Sequence, residues 1–309
     1  MCGRTRSRLR ICATSTRCSE SVPPTRSSSF CSPSAAGAPE GSPKPPPRPK
    51  AAPAWPPPPC KRSSSCRWTA STSTGSYPSY SVAGIAGHRD DKRTFTLLLR
   101  ELREALDAKS RADGRTYLLT IAAGADQYYL DGTDMGEVHP LLDFIQLMTY
   151  DMRGGFQVLT GHHTNLFTPP GDLFRISADA SARLFEAAGV PREKLVLGAA
   201  FYSRLWRGVP DRQQGLHQMA ATTGGYGPDF TELDEAYIGK NGFERYWDED
   251  AQAPYLFDGQ TFISYDDEQS IAAKCAYIAE RGLGGLMFWE YGLDRTGRLI
   301  AAMARGLGG

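Results

Sequence analysis

From Thr94 onward, apolar residues recur at helical spacing: Phe95, Leu98, Leu99, Leu102 and Leu106 fall on one face in a run of good helix formers, which predicts an amphipathic helix. Farther along, the pattern changes to short, nearly continuous apolar runs. Tyr117 to Ala123 ends in Gly124, Phe144 to Asp151 leads into Arg153-Gly-Gly155, and Lys194 to Tyr202 and Gly284 to Glu290 repeat the theme. Such runs read as buried parallel strands with loops at their C-terminal ends. Helices are predicted between them, near Ile176 to Gly189 and Glu268 to Arg281. The alternation argues for an α/β fold, either a barrel or a doubly wound sheet. Between the third and fourth runs, Arg207 to Asp266 is rich in aromatic and turn residues, and reads as a small α+β insertion on the rim where a barrel's loops shape its site.

The stretch from Met1 to Ser76 has a different character. Ser, Pro, Arg and Cys dominate, apolar periodicity is missing, and the Pro runs at 45–47 and 56–59 suit an extended chain, so residues 1–76 are expected to be disordered and to build no core. Cys2, Cys12, Cys18, Cys31, Cys60 and Cys66 all lie there, in spacings that match no zinc pattern and with no His among them. The remaining Cys275 belongs to a predicted helix and is expected in the core. The formal net charge of +1 selects no polyanion, so nucleic acid is not an expected partner. No apolar run is long enough to cross a membrane, and the basic N-terminus lacks the apolar segment of a signal peptide. His162-His163, on a polar stretch without a helical or acidic partner, is expected on a solvated loop; neither a metal nor a cofactor is expected.

Three strand-end motifs sharpen the picture: Met148-Thr-Tyr-Asp151, Ala200-Phe-Tyr-Ser-Arg204 and Gly284-Gly-Leu-Met-Phe-Trp289. With Tyr237 to Trp247 and Phe262 to Asp267 in the insertion, they resemble the catalytic domain of glycoside hydrolase family 18, in the form of bacterial chitinases that carry a chitinase insertion domain. The resemblance covers about Tyr77 to the C-terminus. It implies a (β/α)8 TIM barrel of which only the C-terminal half is recognisable in 77–309, with 207–266 as the insertion domain.

That family carries an Asp-x-x-Asp-x-Asp-x-Glu motif, commonly continued by Tyr-Pro, whose Glu is the general acid. Here Tyr77-Pro78 is preceded by Trp68-Thr-Ala-Ser-Thr-Ser-Thr-Gly-Ser76, which holds no acid. The codons TGG ACG GCA TCG ACA TCG ACT GGG AGC would encode that stretch. Read from the third base, they become GAC GGC ATC GAC ATC GAC TGG GAG, or Asp-Gly-Ile-Asp-Ile-Asp-Trp-Glu, with one surplus base before Tyr77. The first Asp is forced by the Trp and Thr codons, and every later position admits the family residue among a few. Everything before Tyr77 is therefore read as an out-of-frame translation of a GC-rich gene.

In the family, hydrolysis is substrate-assisted: the Glu protonates the glycosidic oxygen while the substrate's own acetamido carbonyl attacks the anomeric carbon. By resemblance, Tyr150 donates to that carbonyl and Asp151 positions the distorted sugar. A barrel tyrosine bonded to a local acceptor and an acidic loop cap are the plainer alternatives. Trp289 would floor the subsite of the scissile sugar and Met148 would line it, or both would simply pack. Tyr202 and Arg204 would bond the sugar, unless Arg204 only pairs with a nearby acid. Ser203 stands where the family often has Gly, and Tyr77 would flank the missing acid. The insertion's aromatics would either wall a cleft or form that subdomain's own core.

The implied partner is chitin or a chito-oligosaccharide, and family resemblance points to an extracellular site of action. Without the acid, the chain as written is expected not to catalyse. With half a barrel's strands missing, it should expose apolar strand edges and aggregate. A non-catalytic chitin-binding lectin and a non-functional fragment are the competing readings. The pattern leaves oligomeric state open.

Overall fold

The computed structural model describes residues 10–13, 70–74, 78–79 and 87–308. Its strands are β1 (Arg10–Ala13), β2 (Ala70–Thr74), β3 (Leu118–Gly124), β4 (Phe144–Met148), β5 (Leu195–Ala200), β6 (Tyr202–Arg207), β7 (Gly225–Asp229), β8 (Glu244–Asp248), β9 (Ala253–Phe257), β10 (Thr261–Ser264) and β11 (Gly285–Trp289). The helices are α1 (Asp91–Asp113), α2 (Gln127–Asp131), α3 (Met135–Val138), α4 (Ala178–Ala187), α5 (Phe230–Glu232), α6 (Glu268–Arg281) and α7 (Arg298–Gly306).

Six strands form one parallel sheet in the order β1-β11-β5-β4-β3-β2. Helices intervene between successive strands of β2 to β5 and before β11, which is the (β/α)8 barrel class seen along one arc. Alternation along each strand sorts the side chains onto two faces. Leu118, Phe144, Met148, Tyr150, Val196 and Met287 cluster on the inner face. Leu119, Ile121, Ile145, Leu147, Leu195, Leu197, Leu286 and Phe288 join the main core, to which the helices contribute Phe95, Leu99, Phe185, Ile271 and Ile278. Both faces are covered, which is why these strands read as continuous apolar runs.

Local signals fix the helix ends. Ser177 accepts the Ala180 N–H at the start of α4, and Asp267 caps α6 reciprocally with Ser270. Gly282 (φ 68) closes α6 in the left-handed conformation that glycine adopts without strain.

Two short strands fall within residues 1–76, the rest of which lies outside the described residues. Ala70–Thr74 pairs in parallel with β3, and Arg10–Ala13 pairs in parallel with β11. The physical reason is that β3 and β11 would otherwise present unpaired N–H and C=O groups, and an edge accepts almost any extended segment through its backbone. The pairing makes β1 and β2 the edge strands of the sheet. Tyr77, Cys2, Cys18, Cys31, Cys60 and Cys66 lie outside the described residues, and Cys275 is buried in α6.

The third apolar run is also cut shorter than its pattern implies. It ends at Ala200, and from Tyr202 the chain enters a second, antiparallel sheet in the order β7-β6-β10-β9-β8. Trp206, Val209, Tyr255, Phe257 and Phe262 make that sheet's own core, with Tyr246 packed against it, and Phe230, Tyr237, Phe243 and Tyr265 pack into the main core, so most of the aromatics of 207–266 pack into one core or the other. Among the described residues, no helix is long and apolar enough to cross a membrane.

Candidate active site

Tyr150 and Asp151 follow directly on β4, at the C-terminal end of the parallel sheet where barrel sites form. Two features of the neighbouring strand put the tyrosine there. Thr149 Oγ1 donates to the Gly198 carbonyl at 2.9 Å and accepts the Gly198 N–H at 2.8 Å, clamping the strand ends together. Residue 198 must also be glycine, because a Cβ there would stand 2.9 Å from Tyr150 Cε1 and 2.7 Å from the Leu147 carbonyl oxygen. Among the described residues the Tyr150 hydroxyl meets no nitrogen or oxygen acceptor; it approaches Met287 Sδ at 4.0 Å, a weak contact. Burial, with the Asp151 charge beside it, pushes its pKa up, so it stays a donor.

Asp151 has φ 57, in the left-handed region, and its side chain is 35% exposed. Arg204 Nε donates to its Oδ1 at 2.8 Å. Burial works to raise the pKa of this carboxyl, but its neighbours, with the Arg204 guanidinium at hydrogen-bond distance, outweigh it and hold the group below the ordinary carboxylate range. Arg204 therefore does pair with an acid, and that acid is Asp151 itself. Its guanidinium also lies 3.8 Å from the Tyr226 ring centroid. Tyr202 is buried with its ring edge-on to Tyr150 at 6.1 Å, and burial followed by the Asp151 charge pushes its pKa well up. Ser203 is buried with its hydroxyl donating to the Pro228 carbonyl at 2.7 Å, so the departure from glycine there is satisfied locally.

Met148, Tyr150 and Asp151 line a cleft of about 550 Å³, together with Gly124, Asp126, Tyr128, Phe156 and Phe174. Phe156 is 80% exposed, and Phe174 is backed by the Arg153 guanidinium, 4.3 Å from its ring centroid and paired with Asp172. Trp289 ends β11 opposite Ala200 in the ladder, one inward step beyond Met287, with 38% of its surface exposed. Tyr150, Asp151, Met148, Tyr202 and Arg204 thus converge, with Trp289 at the adjoining strand end.

The paired histidines are a correction. His162 and His163 are buried, not solvated: His162 Nε2 lies 3.0 Å from Asp248 Oδ2, and His163 Nδ1 lies 3.8 Å from Asp151 Oδ1. The fold supplies the acidic partners from sequence positions too distant for local pattern to reveal. Among the described residues, no group of three or more His, Cys, Asp or Glu is arranged to hold a metal ion. Gly198 was missed as well, although a glycine inside an apolar strand is itself a sign of close approach.

Residues 68–294 match the family described as glycosyl hydrolases family 18, and the chain belongs to that family. It is chitinase-like in sequence. Chitinase A1 of Niallia circulans is 40% identical over 238 residues, covering 71% of this chain and 34% of that protein. A solved family-18 N-acetylglucosaminidase from Paenibacillus barengoltzii is 66% identical with a TM-score of 0.75, over 76% of this chain and 69% of that one. A chitinase-like agglutinin from Robinia pseudoacacia is 30% identical with a TM-score of 0.66, over 77% of this chain and 67% of that one. The chain thus spans about a third of the length of the curated Chitinase A1.

Proposed function

We propose that this chain carries the substrate-orienting part of a chitinase site, for β-1,4-linked N-acetylglucosamine, and lacks the acid because the strand that would bear it is written out of frame. The observation that carries the reading is the Tyr150 hydroxyl, a half-buried donor that meets only the Met287 sulfur among the described residues, beside the Asp151 carboxylate in an open cleft. A donor so placed suits an acetamido carbonyl, with Asp151 beside it to hold the sugar and Trp289 offering an indole face to the pyranose. Arg204 keeps Asp151 ionised. Orientation of the substrate's own nucleophile is the contribution these residues can make, and protonation of the leaving oxygen is the one they cannot.

The strand ladder supports the out-of-frame reading. Ala70, Thr72 and Thr74 stand in register with Leu118, Thr120 and Ala122, and Leu118 belongs to the inner-face cluster. Written in the shifted frame, position 70 becomes Gly, 72 and 74 become Asp, and the alternation carried to 76 gives Glu, while 71 and 73 become Ile. Acids then take the inward register and isoleucines the outward one, the pattern of a barrel strand, whereas the Ala-Ser-Thr-Ser-Thr run has no such alternation. Because relatives of this family act on an extracellular polymer, secretion belongs to the same reading.

Incubation of the purified chain with N-acetylated chito-oligosaccharides, followed by product analysis, tests it. The chain as written is expected to release no shorter sugars, and the product of the frame-corrected gene to release them with retained anomeric configuration. Turnover by the chain as written would refute the reading. Similarity to an agglutinin favours a second one, oligosaccharide binding without cleavage, which predicts that frame correction leaves the protein inactive.

A further inference from the structure

His163 is a completely buried titratable side chain that the sugar-orienting reading leaves unused. Its backbone is pinned on both sides: its N–H donates to Ser264 Oγ at 2.9 Å, and its carbonyl accepts the Met152 N–H at 3.1 Å. The ring is tilted on Tyr202 with centroids 5.4 Å apart. Nδ1 lies 3.4 Å from the Asp151 amide nitrogen and 3.8 Å from Asp151 Oδ1. The longer separation is beyond a hydrogen bond, and the shorter one works only if Nδ1 offers a lone pair to the Asp151 N–H. The proton then sits on Nε2, which reaches no partner among the described residues.

Asp151 needs such an acceptor. With φ 57 it holds a conformation that side chains resist, and such strain persists only where the surroundings over-determine it. Turning out of that conformation would swing the carboxylate away from Arg204.

We propose that His163 is a positioning residue: as a neutral ring protonated on Nε2, it accepts the Asp151 amide and holds the left-handed backbone that aims the carboxylate at the sugar site. The proposal rests on the reading of Asp151 as a sugar-positioning group. Protonating the ring would set N–H against N–H and break the contact. The groups that face the ring are Asp151 after β4, Tyr202 and Arg204 on β6, and Asp266 after β10; burial and Arg204 oppose protonation, and the two carboxylates favour it, with burial the larger influence. Asparagine can place Oδ1 where Nδ1 stands, whereas leucine fills the space without an acceptor.

The test uses the full-length chain with imidazole-15N labelling, the His163 signal being assigned by its loss in His163→Asn. Binding of tri-N-acetylchitotriose is followed by tryptophan fluorescence in the parent, His163→Asn, His163→Leu and Trp289→Ala. The expected His163 signal is that of a neutral ring protonated on Nε2, persisting below the pH at which an ordinary histidine titrates. His163→Asn should bind within about twofold of the parent and His163→Leu about fivefold to tenfold more weakly, the loss of one net hydrogen bond. A ring protonated on Nδ1 or charged at about pH 7 overturns the proposal, as does parent-like binding by His163→Leu while Trp289→Ala loses it. If the parent does not bind, or Trp289→Ala binds equally well, the sugar-site reading fails instead, and the ring's protonation state alone decides for or against His163 as the amide acceptor.

Discussion

Tyr150 lies across β5 because residue 198 has no side chain to stop it. A Cβ at that position meets Tyr150 Cε1 at 2.9 Å and backbone at 2.7 Å, and backbone cannot yield as a flexible side chain can. Gly198→Ala is therefore expected to destabilise the protein by about 1–3 kcal/mol in urea unfolding, and to weaken oligosaccharide binding by displacing the tyrosine. Asp151 gives a pH signature. Its folded pKa lies below the unfolded value, so the stabilisation it contributes is fully present above about pH 4 and is lost as pH falls further, toward and through the folded value. Asp151→Asn should flatten the acid limb of a plot of urea midpoint against pH; an unchanged limb would mean that the Arg204 contact does not hold the carboxylate. That Tyr150, Asp151, Tyr202 and Arg204 lie at strand ends was legible from the apolar runs beside them, whereas the roles proposed for them come from resemblance to the family motifs alone. The identity of Arg204's partner was not legible, since Asp151 is supplied by a different strand end.

At the level of elements, α6 is anchored from inside. Lys274 is fully buried, its Nζ 2.6 and 2.8 Å from the two Asp266 oxygens and 2.7 Å from Thr164 Oγ1. Asp266 in turn accepts the Ala200 N–H at 3.0 Å, and Thr164 Oγ1 contacts the Thr149 carbonyl at 3.3 Å, so one ion pair ties the helix to the ends of both β4 and β5. Lys274→Met leaves the Asp266 charge unpaired and is expected to cost about 3–5 kcal/mol, read from urea unfolding. Lys274→Met/Asp266→Asn, which removes both charges, should recover part of that loss. Sequence pattern placed α6 at its observed bounds because amphipathic spacing and an Asp267 cap agree. It gave no sign of the buried pair, since a lysine on a helix ordinarily reads as solvated. Nor did it reveal that the apolar run through 194–202 turns at Ala200 from one sheet into another: a continuous apolar run carries no mark of which sheet each half joins.

For the whole molecule, the question is why a family-18 chain should have every strand-end motif of the later barrel and no acid. The proposed frameshift accounts for it, and the register of β2 with β3 is compatible with that proposal: the shifted reading would put Asp at 72 and 74 and Glu at 76 on one alternation, ahead of Tyr77-Pro78. The α/β class was legible from the alternation of helices and apolar runs downstream of Thr94, whereas the choice of a barrel over a doubly wound sheet came from the resemblance of the strand-end motifs. The pairing of two short upstream segments was not legible, because edge pairing is made by backbone and leaves no side-chain pattern. The most direct measurement is the nucleotide sequence of the gene from upstream of Trp68 through Tyr77. The account predicts that, read from the third base of the Trp68 codon, it spells Asp-Gly-Ile-Asp-Ile-Asp-Trp-Glu and that this frame stays open upstream; a sequence with no carboxylate at the eighth codon in that frame, or with stop codons in the upstream extension, would contradict it.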